Sequence, residues 1–99
     1  MKRARRHDHE RELYSRLNRH LEVSQDTWRP RRIRTRSARY AACLAERLGL
    51  IERPKSCTWC RRHLRLERHH WNYDEPLTVS FLCMDCHILA DAMTRAESA

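Results

Sequence analysis

Four cysteines constrain this 99-residue chain more than any other feature. They fall as Cys57-Thr58-Trp59-Cys60 and Cys83-Met84-Asp85-Cys86, a C-x2-C-x22-C-x2-C spacing. Each C-x-x-C is a tight knuckle that aims two sulfurs at one point, and two knuckles complete a tetrahedron, the closed four-thiolate geometry of structural zinc. Such a site contributes on the order of 10 kcal/mol to folding. A chain this short buries only part of its surface, so a metal staple is expected to decide whether its C-terminal part folds. The separation slightly exceeds the usual zinc-ribbon spacing, and the extra length holds the segment ERHHWNYDEPL, residues 67–77.

Other chemistries use the same residues. Cys83-Met84-Asp85-Cys86-His87 fits the C-x-x-C-H pattern of haem attachment. That reading would leave the first pair without a purpose, and it belongs outside the cytosol. A redox C-x-x-C calls for a surrounding βαβ pattern, which neither pair has. The fifth cysteine, Cys43, sits among alanines and reads as a small buried helix residue.

The charge is unevenly placed. Residues 1–40 carry 13 Lys and Arg against 5 Asp and Glu, whereas residues 41–99 carry 8 of each. The whole formal excess of +8 therefore lies in the first 40 residues. Of the 21 basic residues, 19 are arginine, whose guanidinium forms bidentate contacts with phosphate. Nucleic acid, most simply DNA, is the expected partner; an arginine-rich coding bias is the plainer account. The longest uncharged apolar run, Tyr40 to Ala45, cannot span a bilayer, so no membrane association is expected. No apolar stretch follows the basic residues at the N-terminus, which makes the cytoplasm the expected location.

Leu13, Leu17 and Leu21 recur every four residues and predict a charged helix over 8–24 with a narrow apolar stripe, packed weakly or against a partner protein. SQDT at 24–27 breaks it. Pro30 suits the first turn of a second helix carrying Ile33, Tyr40, Ala41, Leu44 and Leu48, with Gly49 as its stop. On that helix Arg32, Arg36 and Arg39 share one ridge, which either follows a phosphate track or is a solvated face. The segment after Gly49 reads as a linker. Short strands are expected at Leu64–Glu67 and Thr78–Leu82, then a helix over 84–94. This division gives a charged helix at 1–27, an Arg-rich helix and linker at 28–53, and the four-cysteine domain at 54–99.

Four thiolates leave no vacancy on zinc, so His69, His70 and His87 are surplus to it. Converging near a second position, they could bind a divalent ion or activate water. The alternative is structural: His69 capping a strand, His70 in the core, His87 donating a hydrogen bond to the metal site.

Taken together, CTWC…ERHHWNYDEPLTVSFLCMDCH resembles the small HNH endonuclease-like zinc proteins common in bacteriophage genomes. The likeness covers about residues 50–90: two knuckles, His-His, Tyr73, Pro76-Leu77 and Leu82-Cys83 in order. It implies an α+β fold, a zinc-stapled ββα-metal (treble-clef) domain preceded by two helices, in the cytoplasm of a host cell. It also implies His70 as general base against a phosphodiester, and His69 with His87 as ligands of a catalytic Mg²⁺, Mn²⁺ or Ni²⁺. Two positions depart from the pattern. The middle Asn would fall near Thr78 or Val79, and Asp91 stands where many relatives carry a further His. Alternatives to a nuclease are a catalytically inactive module that docks onto a host or viral protein through the N-terminal helix, and a DNA-binding regulator.

Overall fold

The computed structural model describes residues 2–98, with side chains from Asp8 to Glu97. Three helices and one two-stranded sheet follow in the order α1 (Lys2–Gln25), α2 (Arg31–Arg47), β1 (Glu67–His69), β2 (Ser80–Leu82) and α3 (Met84–Ser98). They form two units. One comprises Met1–Glu52 with Asn72–Leu77; the other comprises Arg53–Trp71 with Thr78–Ala99.

In the helical unit the leucine stripe of α1 finds its partner on α2. Leu13 and Leu17 are buried with Ala41, Leu44 and Ala45, and Leu21, Leu48, Ile51 and Leu77 close the edges. Alanines at 38, 41, 42 and 45 are fully buried, which lets the helices approach closely. α1 starts before the expected position 8, because residues 2–7 contain no helix breaker. Pro30 is the N-cap of α2, and its carbonyl accepts the Ile33 and Arg34 N–H groups. At the other end Gly49 takes φ +78°. Its N–H donates to Glu46 O and the Leu50 N–H donates to Ala45 O, the paired bonds of a Schellman stop.

The loop Asn72–Leu77, which connects the two strands, belongs to this helical unit. Asn72 turns the chain by accepting the Asp74 N–H on its side chain (2.9 Å). Asp74 receives the Arg34 guanidinium at 3.2 Å, and its carbonyl accepts from Gln25 Nε2 at 2.9 Å.

In the second unit β1 and β2 pair antiparallel, with Glu67 opposite Leu82, Arg68 opposite Phe81 and His69 opposite Ser80. β1 lies later than the expected Leu64–Glu67 segment. Leu64 is exposed, whereas Leu66 turns inward with Phe81, Leu82 and Ala90. Arg61, at φ +66°, bends the chain out of the first knuckle. Arg53 lies over the Phe81 ring at 4.8 Å and donates to Leu66 O at 2.7 Å. α3 continues past the expected 94 to Ser98.

Candidate metal centre

The sulfurs of Cys57, Cys60, Cys83 and Cys86 all lie within 4.8 Å of one another, and this cluster can hold a metal ion. The first knuckle is a turn in which Cys57 O accepts the Arg61 N–H and Cys57 N–H donates to Arg62 O. Thr58 ties the knuckle to β2: its N–H and hydroxyl both donate to Phe81 O at 3.1 Å. The second knuckle is the first turn of α3, closed by His87 N–H to Cys83 O at 2.8 Å. Four sulfurs about 2.3 Å from a tetrahedral zinc stand about 3.8 Å apart. Cys60 and Cys83 are separated by 3.7 Å, so the set is compatible with structural zinc.

The surroundings favour thiolates unevenly. Burial pushes the Cys57 thiol up, but N–H groups of Cys60, Cys83 and Trp59 outweigh it and bring it down to about 6. Arg62 lowers Cys60, donating from Nε to its sulfur at 3.3 Å; Nη2 lies 3.7 Å from the Cys83 sulfur. Cys86 is pushed up to about 12 by burial and by hydrogen bonds shared with the other three sulfurs. Cys43 stands apart on α2 as a partly buried free thiol.

A second group stands on β1 and α3. His69, His87 and Asp91 bring ligand-type atoms within 4.8 Å of one another. Asp91 Oδ1 is 3.2 Å from His69 Nδ1 and 3.5 Å from His87 Nε2. Each ring has a second partner. The Thr94 hydroxyl, which donates to Ala90 O at 2.9 Å, lies 3.2 Å from His69 Nε2. Glu67 Oε1 lies 3.0 Å from His87 Nδ1. His69 Nδ1 and His87 Nε2 both face Asp91, whose carboxylate accepts from either nitrogen when it carries a proton. Burial, with His87 nearby, pushes His69 below its ordinary value against the opposing pull of Asp91. Three electron-pair donors aimed together need a cation, either a proton or a metal, to sit among them.

His70 lies one residue beyond β1, is 4% exposed and stands outside this cluster. Thr78 and Val79 lead into β2 and supply no amide side chain, and Asn72 is occupied in the turn described above. Trp71 packs at 4.5 Å on His69, edge to face, and donates from Nε1 to Ser80 Oγ at 2.9 Å. Asp91, Glu67 and Thr94 complete a site of which the two histidines had been legible by spacing. A carboxylate four residues after His87 was the signal for Asp91.

Arg32, Arg36 and Arg39 are all exposed on α2. Two of them rest on tyrosines: Arg36 is 5.7 Å from the Tyr40 ring, and Arg39 is 5.8 Å from Tyr73, whose hydroxyl accepts from Nη2 at 3.3 Å.

No protein family, curated protein or solved structure matches the chain. Its fold and site define a small α+β protein of three helices and a two-stranded sheet, with a four-cysteine cluster that can hold a metal ion. None of its helices is long and apolar enough to cross a membrane, among the described residues.

Proposed function

We propose that the chain is an HNH-like, phage-type zinc protein that binds nucleic acid and hydrolyses phosphodiester bonds with a divalent ion. The observation that carries this reading is the convergence of His69 Nδ1 and His87 Nε2 on Asp91, in the same unit as a cysteine cluster that can hold a metal ion. Zinc on Cys57, Cys60, Cys83 and Cys86 would hold the knuckles together. His69, His87 and Asp91 would hold a Mg²⁺, Mn²⁺ or Ni²⁺ ion, whose charge would offset that on the phosphate and leaving oxygens. Glu67 on His87 Nδ1 and Thr94 on His69 Nε2 would orient the two rings toward the ion. His70 is the general base: it takes a proton from water as the water oxygen attacks phosphorus and the ester oxygen leaves. The arginines of α2 supply the phosphate contacts.

The test is plasmid integrity after incubation with Mn²⁺ or Mg²⁺, with and without chelator. Nicking is expected with the ion and none with chelator, and His70→Ala should lower the rate about 10²–10⁴-fold while nucleic-acid binding stays. A parent that leaves DNA and RNA intact with every ion sinks the catalytic part. A second reading, a binding module without cleavage, is favoured by the burial of His70 and by Thr78 and Val79 where the family has Asn.

A further inference from the structure

Trp28 is the most exposed large hydrophobic residue of the described chain, at 95%. Indoles normally bury most of their surface, so a bare one is a cost that calls for an explanation. It is also held in place. The turn between α1 and α2 is built on Asp26, whose Oδ1 accepts the Trp28 N–H at 3.1 Å and whose carbonyl accepts the Arg29 N–H at 3.0 Å. Oδ2 of the same carboxylate receives Arg29 Nε at 3.3 Å. Pro30 stiffens the next residue before α2 begins. Trp28 is thus presented to solvent from a fixed backbone position.

Its chemical surroundings narrow what the ring receives. From Trp28 to Arg39 the chain has six arginines and no acidic residue. Arg31 and Arg32, the first two residues of α2, are exposed and form no ion pair among the described residues. A bare planar ring followed three and four residues later in the chain by guanidinium groups without an ion pair suits a planar base on an anionic backbone. A purely apolar partner would have to desolvate the arginines without compensation.

We infer that Trp28 is a stacking platform for an unpaired nucleobase, with Arg31 and Arg32 holding the adjoining phosphates. This rests on the nucleic-acid-binding reading above and sharpens it: the preferred ligand is a single strand or an unstacked end, since paired bases inside a duplex keep their faces covered.

The experiment is fluorescence anisotropy with a labelled oligothymidine and with a labelled duplex of equal length. It is run on the parent, Trp28→Ala, Trp28→Phe and Arg31→Ala/Arg32→Ala, each over a salt series. Trp28→Ala should weaken single-strand binding by about 5–100-fold, the span associated with losing one stacked base. Its salt slope should match the parent's, since no charge is removed. Trp28→Phe should recover most of the affinity, and the arginine pair should flatten the slope by about two phosphate contacts. Quenching of parent tryptophan emission by oligothymidine should be reduced in Trp28→Phe. Because the side chain buries nothing, all variants should keep the parent's circular dichroism. Single-strand binding unchanged in Trp28→Ala, or binding to duplex alone, overturns the stacking platform and leaves nucleic-acid binding intact. A parent that binds neither strand form overturns both.

Discussion

At the scale of single residues, the hydroxyl of Thr94 is the clearest lever on the histidine cluster. It donates to Ala90 O and lies 3.2 Å from His69 Nε2, so it steadies the ring on the side away from Asp91. Thr94→Val keeps the shape but removes that hydrogen bond. The affinity of the cluster for added Mn²⁺ should then fall about 10–100-fold, the usual effect of losing a group that orients a ligand. Titration calorimetry would read this, with zinc content of the cysteine cluster as the control; unchanged Mn²⁺ affinity would mean that the ring is oriented elsewhere, and a parent that binds no Mn²⁺ would remove the second metal site altogether. Little of this was readable from sequence. His69 and His87 drew attention by their places near the knuckles, whereas Glu67 and Thr94 are ordinary surface residues until β1 and α3 are set side by side. Gly49 is the contrary case: a helix stop is a local matter of φ, and its signature needs no partner.

At the scale of elements, α2 is both a packing surface and a basic ridge. Its alanine face is buried, and its arginine face is exposed and partly ordered by Tyr40 and Tyr73. Replacing Arg32, Arg36 and Arg39 by alanine should weaken nucleic-acid binding and flatten the log K against log salt plot by roughly one unit per lost phosphate contact. Equal binding at every salt concentration would make the ridge a solvated face. The helices were legible because their period repeats over several turns; the narrow stripe of α1 left open whether it packs weakly or against a partner, and did not say that α2 covers it. Of the strands, β2 falls inside the expected Thr78–Leu82, whereas β1 starts three residues later than expected. Three residues carry barely one alternation, and β1 is positioned by its pairing with β2 and by Arg53, both distant in sequence.

At the scale of the whole molecule, the two units are held by different means. The helical unit has a leucine and alanine core; the other has short strands, one helix and the cysteine cluster. Cys57→Ser or Cys83→Ser should therefore lower zinc content and unfold the strand-bearing unit while most helical circular dichroism from α1 and α2 remains. Cys43→Ser should do neither. A chelator should reproduce the cysteine variants, and a metal-free protein with the parent's melting curve would remove the structural role of the cluster. The spacing of the cysteines made the cluster itself visible in advance, because a knuckle is a four-residue device. The membership of residues 72–77 was not visible, since Asp74 meets Arg34 across 40 positions of the chain and Gln25 across 49.

That membership bears on how the protein is made. On a ribosome, α1 and α2 are synthesised first and can begin to pair. Yet Leu77, which closes their core, and Asp74, which takes up Arg34, are added only after the first knuckle and β1 have followed. The helical pair must wait, incompletely covered, for about 30 further residues, which at ordinary elongation rates is a delay of seconds. During that interval its leucines are the part of the nascent chain most open to chaperones or to premature association.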